Sequence, residues 1–200
     1  MPRGIRVIGF DLMDTVLVDP FVPAIEEVTG LPVETVYREM DRDAWRLLEL
    51  GEIDDREWGA RFWRPGSGRP PLDPAAFRAA AERRYRFVPG MEELLGELAA
   101  RGSPPLHVMS NYPRWYLDLA RRFRLERFFA GHHLSWEVGA RKPDPAYYRR
   151  VLSRLGVEPG ELLFVDDRER NLAAARELGI RTVPFRDAAS LRAALPARGR

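Results

Sequence analysis

Three short apolar runs, at residues 5–10, 106–109 and 161–165, lead straight into polar side chains: Asp11, then Ser110 with Asn111, then Asp166 with Asp167. Apolar runs this short, bounded so sharply, read as buried strands. A fourth run covers 181–185. Amphipathic segments of helix length occupy 90–100, 144–155 and 171–178, and Gly102, Gly156 and Gly179 stand where each should stop. Strands alternating with such helices predict an α/β fold with a parallel sheet and helical crossovers. Ligands of these sheets bind outside the carboxyl ends of the strands. The polar strand ends therefore mark the edge where chemistry is expected.

Residues 19–86 break that rhythm and read as all-helical, with helices expected at 23–29, 32–50, 54–63 and 74–85 and a Pro- and Gly-rich loop at 64–71. Asp54 followed by Glu57 has the pattern of a capping box. The expected organisation is a core formed by 1–18 and 87–200 and a small helical cap, 19–86, inserted after the first strand. Trp45, Trp58 and Trp63 fall in this insertion. They either pack its interior or line a pocket for a flat ligand.

Four segments carry candidate chemistry. Asp11, at the tip of a strand, can act as a nucleophile toward phosphorus, and Thr15 can donate to a phosphate or to that carboxylate. Ser110 and Asn111 offer a hydroxyl and an amide to phosphate oxygens. Asp166 and Asp167 repel one another unless a cation relieves them; Asn171 follows closely. Mg²⁺ takes one or two carboxylates together with phosphate and water oxygens. Finally, Lys142 is the only lysine in a chain whose Lys+Arg count is 32. A compact ammonium fits among crowded oxygens where a planar guanidinium does not. An acidic strand end alone is often just a helix N-cap, so it is the four segments in this order that carry the reading.

Composition excludes other classes. The formal charge is +2, and the arginines are interleaved with Asp and Glu, which describes an ion-paired surface and not a nucleic-acid footprint. With Cys 0, disulfides, thiolate nucleophiles and Cys-ligated zinc are absent. His107 lies within a strand and is expected to be packed; His132 and His133 have no zinc-site spacing to the acids. Arg168 and Arg170 either contact substrate or pair at the surface. No apolar run approaches a membrane span and the N-terminus does not read as a signal peptide, so a cytoplasmic protein is expected. Its partner would be a small phosphorylated metabolite, with no nucleic acid and no membrane, and the chain itself a monomer or homodimer.

These segments resemble, over nearly the whole length, the haloacid dehalogenase-like hydrolase superfamily, in the type whose all-helical cap follows the first motif. The resemblance implies a Rossmann-like core, Mg²⁺ and an aspartyl-phosphate intermediate. It makes Asp11 the nucleophile and a metal ligand, with Thr15, Ser110 and Lys142 catalytic and Ser110, Asn111 and Lys142 binding substrate. The backbone carbonyl of Met13, with Asp166 and Asp167, would complete the metal site. One position departs: phosphatases of this superfamily carry a second Asp two residues after the nucleophile as general acid/base, and here that position is Met13. A thioether transfers no proton, and such help is typically worth about 10²–10⁴-fold. Two other readings thus stand beside a Mg²⁺-dependent phosphatase: a non-catalytic phosphate-ligand-binding module, and a 2-haloacid dehalogenase-like hydrolase. The Asp166–Asp167 pair favours metal and phosphate over halide chemistry.

The stretches Asp11 to Thr15 with Asp19-Pro20-Phe21, Asn111 to Tyr116, Gly139 to Tyr148 and Asp166-Asp167-Arg168 further resemble flavin mononucleotide phosphatases of plant plastids and bacteria. Met13 would then be a trait of that subgroup. Tyr112, Trp115 and Tyr116 either stack on an isoalloxazine or a base or pack the rim of the core.

Overall fold

Val7–Phe10 (β1) is buried along its whole length and is the central strand of a five-stranded sheet. The computed structural model describes residues 4–102 and 104–195. The other strands are Leu106–Ser110 (β2), Phe129–Leu134 (β3), Leu162–Asp166 (β4) and Arg181–Pro184 (β5), in the order β3-β2-β1-β4-β5. Every pairing is parallel, as expected for an α/β chain. Five helices separate β1 from the rest of the sheet: Phe21–Thr29 (α1), Val33–Glu39 (α2), Arg42–Leu50 (α3), Asp55–Ala60 (α4) and Pro74–Glu82 (α5). Met91–Arg101 (α6) leads into β2, and Tyr116–Phe123 (α7) links β2 to β3. Ser135–Val138 (α8) and Pro145–Leu155 (α9) precede β4, Glu169–Glu177 (α10) joins it to β5, and Ala188–Ala194 (α11) closes the described chain.

The period-two alternation of the strands sorts the core. Ile8, Phe10, Leu163 and Val165 face one layer, which also holds the interior of the helical insertion. Val7, Met109, Leu162 and Phe164 face the other, against Tyr147, Tyr148 and Leu172. Gly9 allows β1 this close fit, because a Cβ there would lie 2.3 Å from Met109 Sδ.

Register brings the functional edge into line. Phe10 sits opposite both Val108 and Val165, and the Asp11 N–H donates to the Val165 carbonyl at 2.8 Å. Asp11, Ser110 and Asp166 therefore emerge at the same carboxyl edge. The strand order runs outward one way through β2 and β3 and the other way through β4 and β5, so the crevice between β1 and β4 is the topological switch point.

Several expected elements differ. The helix expected over 32–50 is broken at Met40, which is extended (φ −72°, ψ 148°), and Asp41 then caps α3 by accepting from Asp43 N. The break has a partner: Asp41 N donates to the Phe62 carbonyl and Arg64 N to that of Glu39, a short ladder that also ends α4 before residue 63. Asp54 caps α4 as expected, accepting from Glu57 N at 2.8 Å, a contribution of about 1 kcal/mol. β3 has no counterpart in the sequence reading, because its Ala130-Gly131-His132-His133 stretch is not an apolar run. No helix among the described residues is long and apolar enough to cross a membrane.

Inside the insertion, Trp58 is fully buried, with ring centroids 5.3 Å from Phe77, 5.5 Å from Trp45 and 5.6 Å from Trp115. Trp63 packs on Phe62 at 4.7 Å. Trp115 of the β2–α7 loop joins this cluster and donates its indole N–H to Asp55 of α4 at 2.8 Å, fastening the insertion to the sheet.

Candidate active site

Lys142 is among the most deeply buried charged groups, with its side chain 1% exposed. Its ammonium lies 2.9 Å from Asp11 Oδ1 and 2.7 Å from Asp166 Oδ2, and 5.0 Å from the centroid of the Phe164 ring. Burial alone would lower its pKa, but the two carboxylates outweigh it and hold the ammonium charged. Asp11, at the tip of β1, also accepts from Leu12 N at 2.7 Å. Burial pushes the Asp11 pKa up; Lys142 pulls it back and Asp166 adds to the rise.

Asp166, fully buried at the end of β4, is occupied within the protein. Beyond Lys142, it accepts from Arg168 N at 2.8 Å and from Asn171 Nδ2 at 3.0 Å. Asp167 is half-buried, and its Oδ1 has no hydrogen-bond partner among the described residues. Burial, then Asp11 and Asp166, push its pKa to about 6, with Arg168 opposing. Asp11, Asp166 and Asp167 each offer an oxygen within 4.8 Å of the others. Three carboxylates face the Lys142 ammonium and, 3.9 Å from Asp167, the Arg168 guanidinium, an excess of one negative charge. That excess, with an unpartnered buried carboxylate oxygen, fits a divalent cation bound through hard oxygen ligands.

A cavity of about 80 Å³ opens above this cluster. Asp11, Met13, Ser110, Asn111, Lys142, Arg168 and Asn171 line it from the sheet edge, and Phe21, Trp45, Glu49, Phe77 and Tyr85 from the insertion and its exit. Most of the expected residues thus converge on the cavity; Asp166 and Asp167 adjoin Asp11 without lining it, and two others change role. Asn111 was expected to offer its amide to phosphate. Instead its Nδ2 donates to the Lys142 carbonyl and its Oδ1 accepts from Lys142 N, both at 2.8 Å, so the side chain is occupied in holding the lysine segment. Thr15 is fully buried, does not line the cavity, and its hydroxyl has no partner among the described residues.

The aromatic alternatives separate as well. Trp45 and Tyr112 line the cavity, whereas Trp58, Trp63, Trp115 and Tyr116 do not. The Tyr112 hydroxyl is hydrogen-bonded to that of Tyr85. His107 stacks on His133 at 5.3 Å, away from the acids, and Arg170 does not reach the cavity while Arg168 does.

Sequence reasoning passed over Glu49 and did not single out the side chain of Asp19. Glu49, on α3, is 5% exposed, accepts from Trp45 Nε1 at 2.8 Å and pairs with Arg141 at 2.5 Å. Burial pushes it up to about 7, and Arg141 and Trp45 pull it back only in part. A lone Glu near the end of an amphipathic helix gives no signal of this position. Asp19 stands in a stretch already marked by resemblance, but only the fold shows that it turns into the cavity.

A family model described as haloacid dehalogenase-like hydrolase matches residues 5–179. The chain is 33% identical over 189 residues to Flavin mononucleotide hydrolase 1 of Arabidopsis thaliana, a chloroplastic protein, covering 94% of this chain and 76% of the relative. It is 34% identical over 174 residues to a phosphoserine phosphatase of Thermus thermophilus, covering 82% and 68%. In fold it is similar to a HAD family enzyme of Bacteroides thetaiotaomicron, solved in complex with magnesium and inorganic phosphate: TM-score 0.74, 22% identity, 92% of this chain and 96% of that one. With a match across most of its length and an acid-rich parallel-sheet edge of the matching kind, the chain belongs to the haloacid dehalogenase-like hydrolases and is an enzyme of that family.

Proposed function

We propose that the enzyme is a Mg²⁺-dependent phosphatase that hydrolyses a small phosphomonoester through an aspartyl-phosphate on Asp11. The observation that carries this reading is the Lys142 ammonium bridging Asp11 and Asp166 at 2.9 and 2.7 Å beneath a small polar cavity. Asp11 supplies the attacking carboxylate oxygen. Lys142, held by Asp166 and Asn111, neutralises the nucleophile and the incoming phosphoryl oxygens together, and Ser110 Oγ donates to one of those oxygens. Asp11, Asp167 and the main-chain carbonyl of Met13 would hold Mg²⁺, with Asp166 close behind. Bound there, the cation would offset the charge of phosphate against carboxylate.

Helices α1–α5 would act as the cap, closing the cavity over the phosphoryl group. Phe21, Trp45, Phe77, Tyr85 and Tyr112 give that closure an aromatic wall, which supports a planar leaving group such as a flavin or nucleoside; the plant flavin mononucleotide hydrolase relative points the same way. At about 80 Å³ the cavity is well below the roughly 300–1,000 Å³ typical of sites for drug-sized ligands. A ring system would therefore have to move the cap or remain at its mouth. A screen of phosphate release over a metabolite panel including flavin mononucleotide, with Mg²⁺ and with EDTA, tests the reading. Metal-dependent release from at least one monoester is expected, and flavin mononucleotide should rank above aliphatic phosphates.

A further inference from the structure

Met13 leaves the reaction without its expected proton donor, and the cavity contains a replacement. We propose that Asp19 is the general acid and base of this site. The proposal rests on the phosphatase reading above. Among the described residues lining the cavity, only Asp11, Asp19 and Glu49 carry carboxyl groups. Asp11 is the nucleophile. Glu49 accepts from Trp45 Nε1 through Oε1, and its Oε2, which makes no hydrogen bond among the described residues, is held by the charge of Arg141 at 2.5 Å. Asp19 accepts from Phe21 N at 2.9 Å through Oδ1, and no other donor among the described residues reaches its carboxyl. The second oxygen is available to a ligand.

The chain is folded so as to bring this carboxyl back to Met13. Asp14, the carboxylate adjacent to the missing acid, is exposed and adopts a left-handed backbone conformation with φ 55°. Its N–H donates to the Leu17 carbonyl at 2.7 Å, and its Oδ1 accepts from Asp19 N at 3.0 Å. Asp14 thus closes the loop that carries Asp19 onto the cavity shared with Met13 and Asp11. Burial raises the Asp19 pKa; the Phe21 N–H and Arg168 oppose the rise, and the carboxylates of Asp14 and Asp11 add to it. Tyr37, Tyr85 and Tyr112 are the other ionisable groups that feel its charge. A half-buried carboxyl with one free oxygen and a raised pKa is suited to carry a proton in and out.

The steps balance without any further reactant. As an Asp11 oxygen bonds to phosphorus and the ester P–O bond breaks, the Asp19 proton passes to the departing oxygen, giving the alcohol. Asp19, now a carboxylate, takes a proton from the water that attacks phosphorus, and the P–O bond to Asp11 breaks to release inorganic phosphate.

The test compares phenyl phosphate with p-nitrophenyl phosphate, similar in shape but very different in leaving group. Nitrophenolate departs without protonation; phenolate needs it far more. In Asp19→Asn, which keeps the acceptor for Phe21 N, turnover of phenyl phosphate should fall by about 10²-fold or more. The loss on p-nitrophenyl phosphate should be at least about tenfold smaller for the first step. Because the water then lacks its base, nitrophenol should appear in a burst equal to the enzyme, with phosphate retained on Asp11. Asp19→Ser, whose hydroxyl can also accept from Phe21 N, gives the same comparison should the Asn variant not fold, and Met13→Asp placed in the Asp19→Asn background should recover phenyl phosphate turnover. An unchanged ratio of first-step rates between the two substrates overturns the proposal, as does an equal loss on both without phosphoenzyme, which would make Asp19 only a shaper of the pocket. The same signature in Glu49→Gln but not in Asp19→Asn would transfer the role to Glu49. If the wild type cleaves neither ester and Asp11 never becomes phosphorylated, the phosphatase reading itself fails, a result distinct from any of these.

Discussion

Asn111 grips Lys142 by the main chain at both ends of one amide, donating to its carbonyl and accepting its N–H at 2.8 Å each. The end of β2 is thereby tied to the segment that delivers the lysine, 31 residues further along the chain. An amide is required: only it offers a donor and an acceptor side by side in this geometry. Asn111→Ala should leave both main-chain groups unpaired, at a cost of about 1–3 kcal/mol, and lower kcat more than it changes KM. Thermal unfolding together with steady-state kinetics checks this, and wild-type kcat in the Ala variant would remove the positioning role.

Lys142→Arg should not restore function, although arginine fills every other basic Lys/Arg position of the chain. The ammonium is wedged between two carboxylates with Phe164 beside it. A wider guanidinium overfills that space, typically at about 1–3 kcal/mol, and displaces the nucleophile. Lys142→Met leaves Asp11 and Asp166 facing one another unpaired, with a loss of about 3–5 kcal/mol. Melting curves of the two variants should therefore rank wild type, Arg, Met. Near-normal turnover in the Arg variant would return the lone lysine to an accident of composition.

Stability should respond to pH through two buried groups that act in opposite directions. Glu49 has its folded pKa raised from 4.5 to about 7. The folded state holds this proton more tightly, so the contribution is full below about 4.5 and is lost as pH rises through about 7. His133 is lowered from 6.5 to about 4, first by burial and then by His107. Its contribution is full above about 6.5 and is lost as pH falls through about 4. Each gap corresponds to about 3 kcal/mol, and Asp167, raised to about 6, acts in the same direction as Glu49. Relative to the wild type, Tm measured from pH 4 to 7 should therefore gain an upward slope with pH in Glu49→Gln and a steeper fall in His133→Gln. Parallel profiles in all three proteins would refute the assignment.

Metal binding should be separable from lysine positioning. Asp167 leaves a buried oxygen unpartnered, whereas Asp166 is occupied by Lys142, Asn171 and the Arg168 main chain. Saturating Mg²⁺ should raise the Tm of the wild type, by linkage of binding to folding. Asp167→Asn should abolish that rise while leaving the metal-free Tm nearly intact. Asp166→Asn should lower the metal-free Tm as well. A full Mg²⁺-induced rise in Asp167→Asn would place the cation elsewhere.

The sheet and its polar edge were legible because β1 and β4 are buried throughout and β2 everywhere but at His107, so that they appear as apolar runs closed by Asp11, Ser110 and Asp166. β3 is an edge strand, only partly buried, and its glycine and histidines conceal it. The break at Met40 was hidden because its cause lies elsewhere in the chain, in the backbone of residues 62–64. The residues at the strand tips, which meet at one edge of the sheet, were legible in the sequence. The hold of Asn111 on Lys142 and the approach of Glu49 and Asp19 to the cavity were not, since each depends on how the β1–α1 loop, α3 and the lysine segment meet in space. Amphipathic α7 was within reach of its own periodicity but was obscured by the aromatic residues at its start.

The proposed reaction turns on Asp11, and its most direct test is phosphate release from a panel of phosphomonoesters by the wild type and by Asp11→Asn, each with Mg²⁺ and with EDTA. The wild type should release phosphate only with the metal, and the Asn variant should release none although it folds and still binds inorganic phosphate. Wild-type turnover in Asp11→Asn would contradict the aspartyl-phosphate route. A wild type that binds phosphate ligands but hydrolyses no ester would favour the binding-module reading instead.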